Sequence, residues 1–123
     1  MDTVVTAAQI IIALGIFNVW IIRRDWETAY RPEGAKGIVE EFRRYGLPDW
    51  VRTAVGATKI SLAVLLLVGL VITPITRPAA GLMALLMVAA ISAHVRVNDP
   101  WTKSVPAAAM LALSALVVVA HSA

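Results

Sequence analysis

Lys59 is the residue whose position most needs a reason. It stands inside the run Thr53–Thr73, which carries no other charge. It lies six or seven residues into that run, roughly 10 Å deep at about 1.5 Å per helical residue. An ionisable group at such depth is costly unless it is paired, hydrated or turned toward a protein interior, and it marks a candidate site. Gly56 and Ala63 share its helical face and let a neighbour approach closely. The bland alternative is a lysine whose stem lies along lipid while its ammonium snorkels to the interface. Asn18, near the end of the first apolar run, suits an interhelical hydrogen bond. His94, at the end of the third, suits a proton carrier or a hydrogen-bond partner. Glu40, Glu41, Asn98 and Asp99 fall at the same level of the chain's up-and-down path. A buried lysine calls for a nearby carboxylate. Asp99 is the favoured partner, because Pro100 fixes its turn, and Glu41 is the other candidate. The chemistry open to this set is acid–base work by Lys59 or His94, oriented by Asp99 or Glu41. The other option is recognition of a ligand head by Lys59, His94, Asn18 and Glu41, with Trp20 and Tyr45 lining the mouth. Gln9 and His121 read as structural or interfacial.

The elements that must hold these residues follow from composition. Apolar residues make up 59% of the 123 residues and charged residues only 15%, against about 25% charged in a soluble domain. Thirteen of the nineteen charges sit between Arg23 and Arg52. A hydrocarbon core of about 30 Å needs roughly 20 helical residues. Four segments qualify, near 3–22, 53–73, 79–95 and 105–121. Arg23 and Arg24 stop the first, Pro74 ends the second and Arg96 ends the third. Ser104 is placed as N-cap of the fourth, with Pro106 in its first turn. The basic pair follows the first segment rather than preceding it, the reverse of a signal peptide. The fold expected is an all-α membrane protein: one integral domain, a four-transmembrane-helix bundle. Charges gathered in one block beside long uncharged runs argue against a soluble enzyme, a disordered chain or a nucleic-acid binder, and against the last also because the basic residues flank apolar spans rather than forming a stripe.

Lys and Arg in short loops set orientation. They crowd the loop after the first span, thin to Arg77 after the second, and return as Arg96 and Lys103 after the third. The first and third loops are therefore expected in the cytoplasm, with both termini on the other side of the membrane. All eight aromatic residues fall in or beside those two loops. Within the long first loop, residues 34–45 read as a short amphipathic interfacial helix. Ile38, Phe42 and Tyr45 form its apolar stripe, Gly46 ends it, and Pro48-Asp49 opens the second span. Asp25-Trp26-Glu27-Thr28 and Asp99-Pro100-Trp101-Thr102 hold equivalent places, a weak sign of two pseudo-symmetric hairpins.

Cysteine is absent, so the chain has no disulfide or thiol chemistry of its own. No phosphate-binding glycine motif, HExxH or GxSxG occurs, and no metal set is expected.

The order of short segments resembles the DoxX-like family of small four-helix bacterial membrane proteins, from about Asn18 to Ala120. The segments are Asn18-Val19-Trp20 before Arg23, Thr28-Ala29-Tyr30-Arg31, Glu40-Glu41-Phe42-Arg43-Arg44-Tyr45-Gly46-Leu47-Pro48, Gly56 with Lys59, Met87 through Ala90 with His94, Val97-Asn98-Asp99-Pro100 and Lys103-Ser104-Val105-Pro106-Ala107. The resemblance implies a four-helix bundle and an association with membrane redox complexes, the family's name coming from a subunit linked to a thiosulfate:quinone oxidoreductase. With no cysteine here, the redox implication narrows to binding a quinone-like lipid or supporting a membrane redox partner. Three functions follow as expectations. The first is binding of a lipophilic small molecule. The second is a small membrane enzyme acting on a lipophilic substrate. The third is a ligand-free structural subunit, in which small residues at four-residue spacing serve contacts within or between copies.

Overall fold

The computed structural model describes residues 2–26, 30–32 and 34–121, with residue 2 as backbone only. The described residues form helices and turns, with no strand among them. Four helices are long and apolar enough to cross a bilayer: Thr3–Ile22, Asp49–Val68, Thr73–Arg96 and Trp101–Ala120. The chain is an all-α, multi-pass membrane bundle.

Helix α1 spans Asp2–Phe17 and continues as a π-helical turn, Asn18–Ile22. The short α2 spans Ile38–Arg44, α3 spans Asp49–Val68, α4 spans Thr76–Arg96 and α5 spans Val105–Ala120. Each of the four long helices packs against two others, in the cyclic order α1, α3, α4, α5, while α2 lies over α3. The path runs up and down, so residues 23–48 and 97–104 gather at one end, called here the connector end. The turn 69–75, the start of α1 and the end of α5 gather at the far end.

Burial is inverted relative to a soluble bundle. Leu85, Val95 and Val119 are each about two-thirds exposed, while Gln9, Lys59, Thr76, His94 and Ser114 are buried. With lipid as the outer solvent, apolar side chains gain nothing by turning inward, whereas polar ones lose heavily by turning outward. Close helix contact uses small residues. A Cβ on Gly56 would lie 2.6 Å from the Trp20 indole, so Gly56 is the notch in α3 that receives Trp20. Ala63, on the same face, is fully buried. The close-packing face expected around Lys59 is the face that meets α1.

Three boundaries differ from expectation. Helix α3 starts at Asp49, where Pro48-Asp49 opens it and ahead of the run counted from 53, and it stops at Val68 rather than 73. Pro74 belongs instead to a 3-10 turn, Thr73–Ile75, that leads into α4. Proline is tolerated at a helix start, where its missing N–H costs nothing, so it marks the next helix as much as the end of the last. The amphipathic helix is seven residues, not twelve. Gly34 and Gly37 have φ of 82° and 120°, so the chain before Ile38 is a turn. Gly37 also lies too close to the Arg24 carbonyl for any Cβ, and that carbonyl accepts the Ile38 N–H at 2.7 Å. Ser104 makes no side-chain cap on α5. The chain arrives there already coiled, as the 3-10 turn Trp101–Ser104.

Candidate functional site at the connector end

Two helix ends shape the site, and both close with the same backbone motif. At the end of α2, Leu47 N–H bonds to Phe42 C=O at 3.1 Å and Gly46 N–H to Arg43 C=O at 3.0 Å. Gly46 takes the left-handed conformation, φ 76°. At the end of α4, Asp99 N–H bonds to His94 C=O at 3.0 Å and Asn98 N–H to Val95 C=O at 3.1 Å. Here Asn98 is the left-handed residue, φ 58°. Both are Schellman closures, in which the chain folds back over the third-last helical residue. In α4 that residue is His94. The closure therefore returns the Asp99 carboxylate to it, and Asp99 Oδ2 lies 2.7 Å from His94 Nδ1.

This overturns the favoured pairing of Asp99 with Lys59. The Schellman geometry commits Asp99 to His94. The carboxylate that lines both cavities with Lys59 is Glu41.

Glu41 is the hub. Its Oε1 accepts from Arg31 Nε at 3.0 Å and its Oε2 accepts from the Tyr45 hydroxyl at 2.9 Å. The Tyr45 oxygen also stands 3.3 Å from His94 Nε2. A continuous series thus runs Arg31, Glu41, Tyr45, His94, Asp99, joining the first loop to the third span. Burial and the neighbouring Glu41 charge push the Tyr45 phenol well above the usual tyrosine range. It stays neutral and keeps its one hydrogen. That hydrogen serves Glu41 or His94, never both, so the series has two alternative donor patterns.

Arg31 locks the loop. Its guanidinium is buried and donates to the carbonyls of Val19 at 3.2 Å, Arg23 at 2.8 Å and Trp26. These carbonyls lie at and beyond the end of the first span, where backbone acceptors have no helical partner. The Arg31 carbonyl in turn accepts from Lys103 Nζ at 2.6 Å, which ties the first loop to the third. The aromatic edges follow the same line: Trp20 to Phe42 at 5.5 Å, Phe42 to Tyr45 at 5.8 Å and Tyr45 to His94 at 5.4 Å between centroids.

Behind this lid lies a cavity of about 500 Å³. Its apolar wall includes Ile16, Met87, Ala107 and Met110, and its polar end includes Asn18, Arg31, Glu41, Lys59 and Lys103. A second cavity of about 120 Å³ lies beside α2 and shares Trp20, Glu41 and Lys59 with the first. Lys59 is 8% exposed, its Nζ 5.4 Å from the centre of the Trp20 ring. Neither in lipid nor at the interface, it points into the bundle, so the snorkelling alternative does not describe it. Asn18 lines the cavity and makes no side-chain hydrogen bond to the described residues, in place of the interhelical bond expected of it.

The model of the DoxX-like family matches residues 29–118. The chain belongs to the DoxX-like family. Curated proteins and solved structures give no match. The matched stretch of this DoxX-like protein contains the whole series from Arg31 to Asp99, together with Lys59. Asn18 and Trp20 precede it. Of the segments that suggested the family, Thr28-Ala29 lies outside the described residues, as does part of the Asp25–Thr28 half of the weak repeat. Among the described residues no group of carboxylates and histidines is arranged to hold a metal.

The sequence reading brought Lys59, Glu41, Tyr45, His94, Asp99, Asn18 and Trp20 to one end, and the structure assembles all of them there. It did not single out Arg31 or Lys103. Arg31 was counted for orientation, one of seven basic residues from Arg23 to Arg52, and nothing in its spacing separates it from the other six. Its role arises from the fold of an irregular loop, which has no periodicity to read.

Proposed function

We propose that this DoxX-like membrane protein binds a lipophilic small molecule of quinone-like size and shape between its helices at the connector end. The tail lies along Ile16, Met87, Ala107 and Met110, and an oxygen of the head accepts a hydrogen bond from Lys59. The observation that carries this reading is the 500 Å³ cavity, apolar along one wall and polar at one end, which is the general form of a small-molecule site. Such a space in a close-packed bundle favours a ligand over a purely structural subunit. The excess of Lys and Arg in the connector-end loops makes that end the cytoplasmic one, so the ligand enters at the inner leaflet of the bacterial inner membrane. The same site serves a protein acting alone or one supporting a membrane redox complex.

The test is mass spectrometry of small molecules retained through purification in mild detergent, on the wild type and on Ala107→Phe. The wild type should carry a lipophilic molecule. Ala107→Phe fills the cavity from α5 and should lose it while remaining folded. Equal recovery from both proteins would sink the reading.

A second reading rests on the hydrogen-bonded series. Tyr45, His94 and Asp99 can move a proton toward Glu41 beside the cavity, which suits a small membrane enzyme performing acid–base chemistry on its lipophilic substrate. Conversion of the retained molecule by the wild type but not by His94→Gln would favour this second reading over binding alone.

A further inference from the structure

Among the described residues, Lys59 shares the cavity lining with Arg23, Arg31, Lys103 and the carboxylate of Glu41. That carboxylate is already engaged on both oxygens, by Arg31 and by Tyr45. The other carboxylate nearby, Asp99, is held by His94 at 2.7 Å. Lys59 is more than nine-tenths buried, opens onto both cavities, and has no hydrogen-bond acceptor among the described residues. The face of Trp20 lies beside it, a modest attraction, and Glu41 shares both cavities with it but makes its bonds to Arg31 and Tyr45. A buried ammonium with no anion bonded to it is an unfavourable arrangement in a membrane interior.

We infer that the ligand supplies that anion: the site takes an amphiphile whose head carries a formally negative oxygen, a carboxylate or an enolate, seated on Lys59. This rests on the lipophilic-ligand reading above and goes beyond it in the charge of the head. A neutral quinone would satisfy one N–H of Lys59 and leave its charge without a bonded anion. An anionic head supplies that anion, and its second oxygen or delocalised charge faces Asn18, which is uncommitted to the described residues. Trp20 forms the floor beneath the head.

The experiment is equilibrium binding of labelled dodecanoate to the protein in phosphatidylcholine nanodiscs, with empty discs as background. Dodecanol and a short-tailed neutral benzoquinone are the competitors. The expected result is that dodecanoate binds at least about tenfold more tightly than dodecanol or the quinone. Lys59→Arg should keep that preference, and Lys59→Met should erase it, binding dodecanoate no more tightly than dodecanol. Displacement of dodecanoate by phosphatidylglycerol in the discs supports the anion site and names the bilayer as its source. Dodecanol or the quinone binding as tightly as dodecanoate overturns the anionic head but leaves the lipophilic-ligand reading standing. An unchanged dodecanoate preference in Lys59→Met also overturns it. Saturable binding of none of the three overturns both readings.

Discussion

The two ends of the bundle solve one problem with different chemistry. Every helix that stops in or near a membrane leaves carbonyls without partners. At the far end, neutral side chains from neighbouring helices answer the last carbonyls of α3. Gln9 of α1 donates to Leu66 C=O at 2.9 Å, and Thr76 of α4 donates to Gly69 C=O at 3.1 Å. Each spends one donor on one acceptor, and the pairing welds α1, α3 and α4 together. At the connector end, the charged Arg31 answers three carbonyls and a carboxylate at once. Its partner Glu41 reaches on to Tyr45, and Lys59 is left facing open space. The far end uses neutral donors. The connector end uses a charged one and sets the buried Lys59 beside the cavity, which is why the proposed site lies there.

Arg31→Met puts this contrast under the greatest load. It strands the part-buried Glu41 carboxylate and frees three carbonyls, and breaking a buried pair costs about 3–5 kcal/mol. Denaturant unfolding in mixed micelles should show a loss of that size. A loss below about 1 kcal/mol would mean the pair behaves as a surface ion pair and that Arg31 does not organise the lid. Gln9→Leu tests the closed end. It leaves one buried carbonyl unanswered, for about 1–3 kcal/mol, and the amount of retained small molecule should be unchanged. Loss of the retained molecule would show that the two ends are coupled rather than separate.

Asn98→Ala addresses the closure that delivers Asp99. A Cβ-bearing residue without a local polar group costs about 1–2 kcal/mol in the left-handed region, whereas Asn98→Gly should be neutral. If Asn98→Ala is as stable as Asn98→Gly, the Schellman turn is not what seats Asp99 on His94. The smallest effect is spectroscopic. The chain has two tyrosines, so in Tyr30→Phe the phenolate absorbance reports Tyr45 alone. No phenolate should form near pH 10, the ordinary tyrosine value, until the protein unfolds. Because the folded-state value is raised, the stabilisation is complete below about pH 10 and declines as pH rises above it. Ionisation at the ordinary value would remove Tyr45 from the buried series.

Spans, their number and the one-sided crowding of aromatics and charge were readable from composition and run length. The hydrocarbon thickness imposes a length and a polarity that the chain obeys locally. The ends of α2 and α4 were partly readable too. Gly46 announced its turn, but Asn98 did not, because a left-handed asparagine is one of several outcomes that sequence permits. The level of each polar residue was legible as well, since depth follows from a constant rise per residue. Which carboxylate serves which cation was not. Asp99 was favoured for Lys59 because Pro100 fixes its turn, yet the closure of α4 turned it to His94 and left Glu41, on the short helix α2, beside the lysine. Depth along a helix is a one-dimensional property, and sequence determines it. Pairing depends on rotation about each helix axis and on the path of an irregular loop. Only the packed bundle decides those, because only there do the notch at Gly56, the indole of Trp20 and the fork of Arg31 compete for the same space.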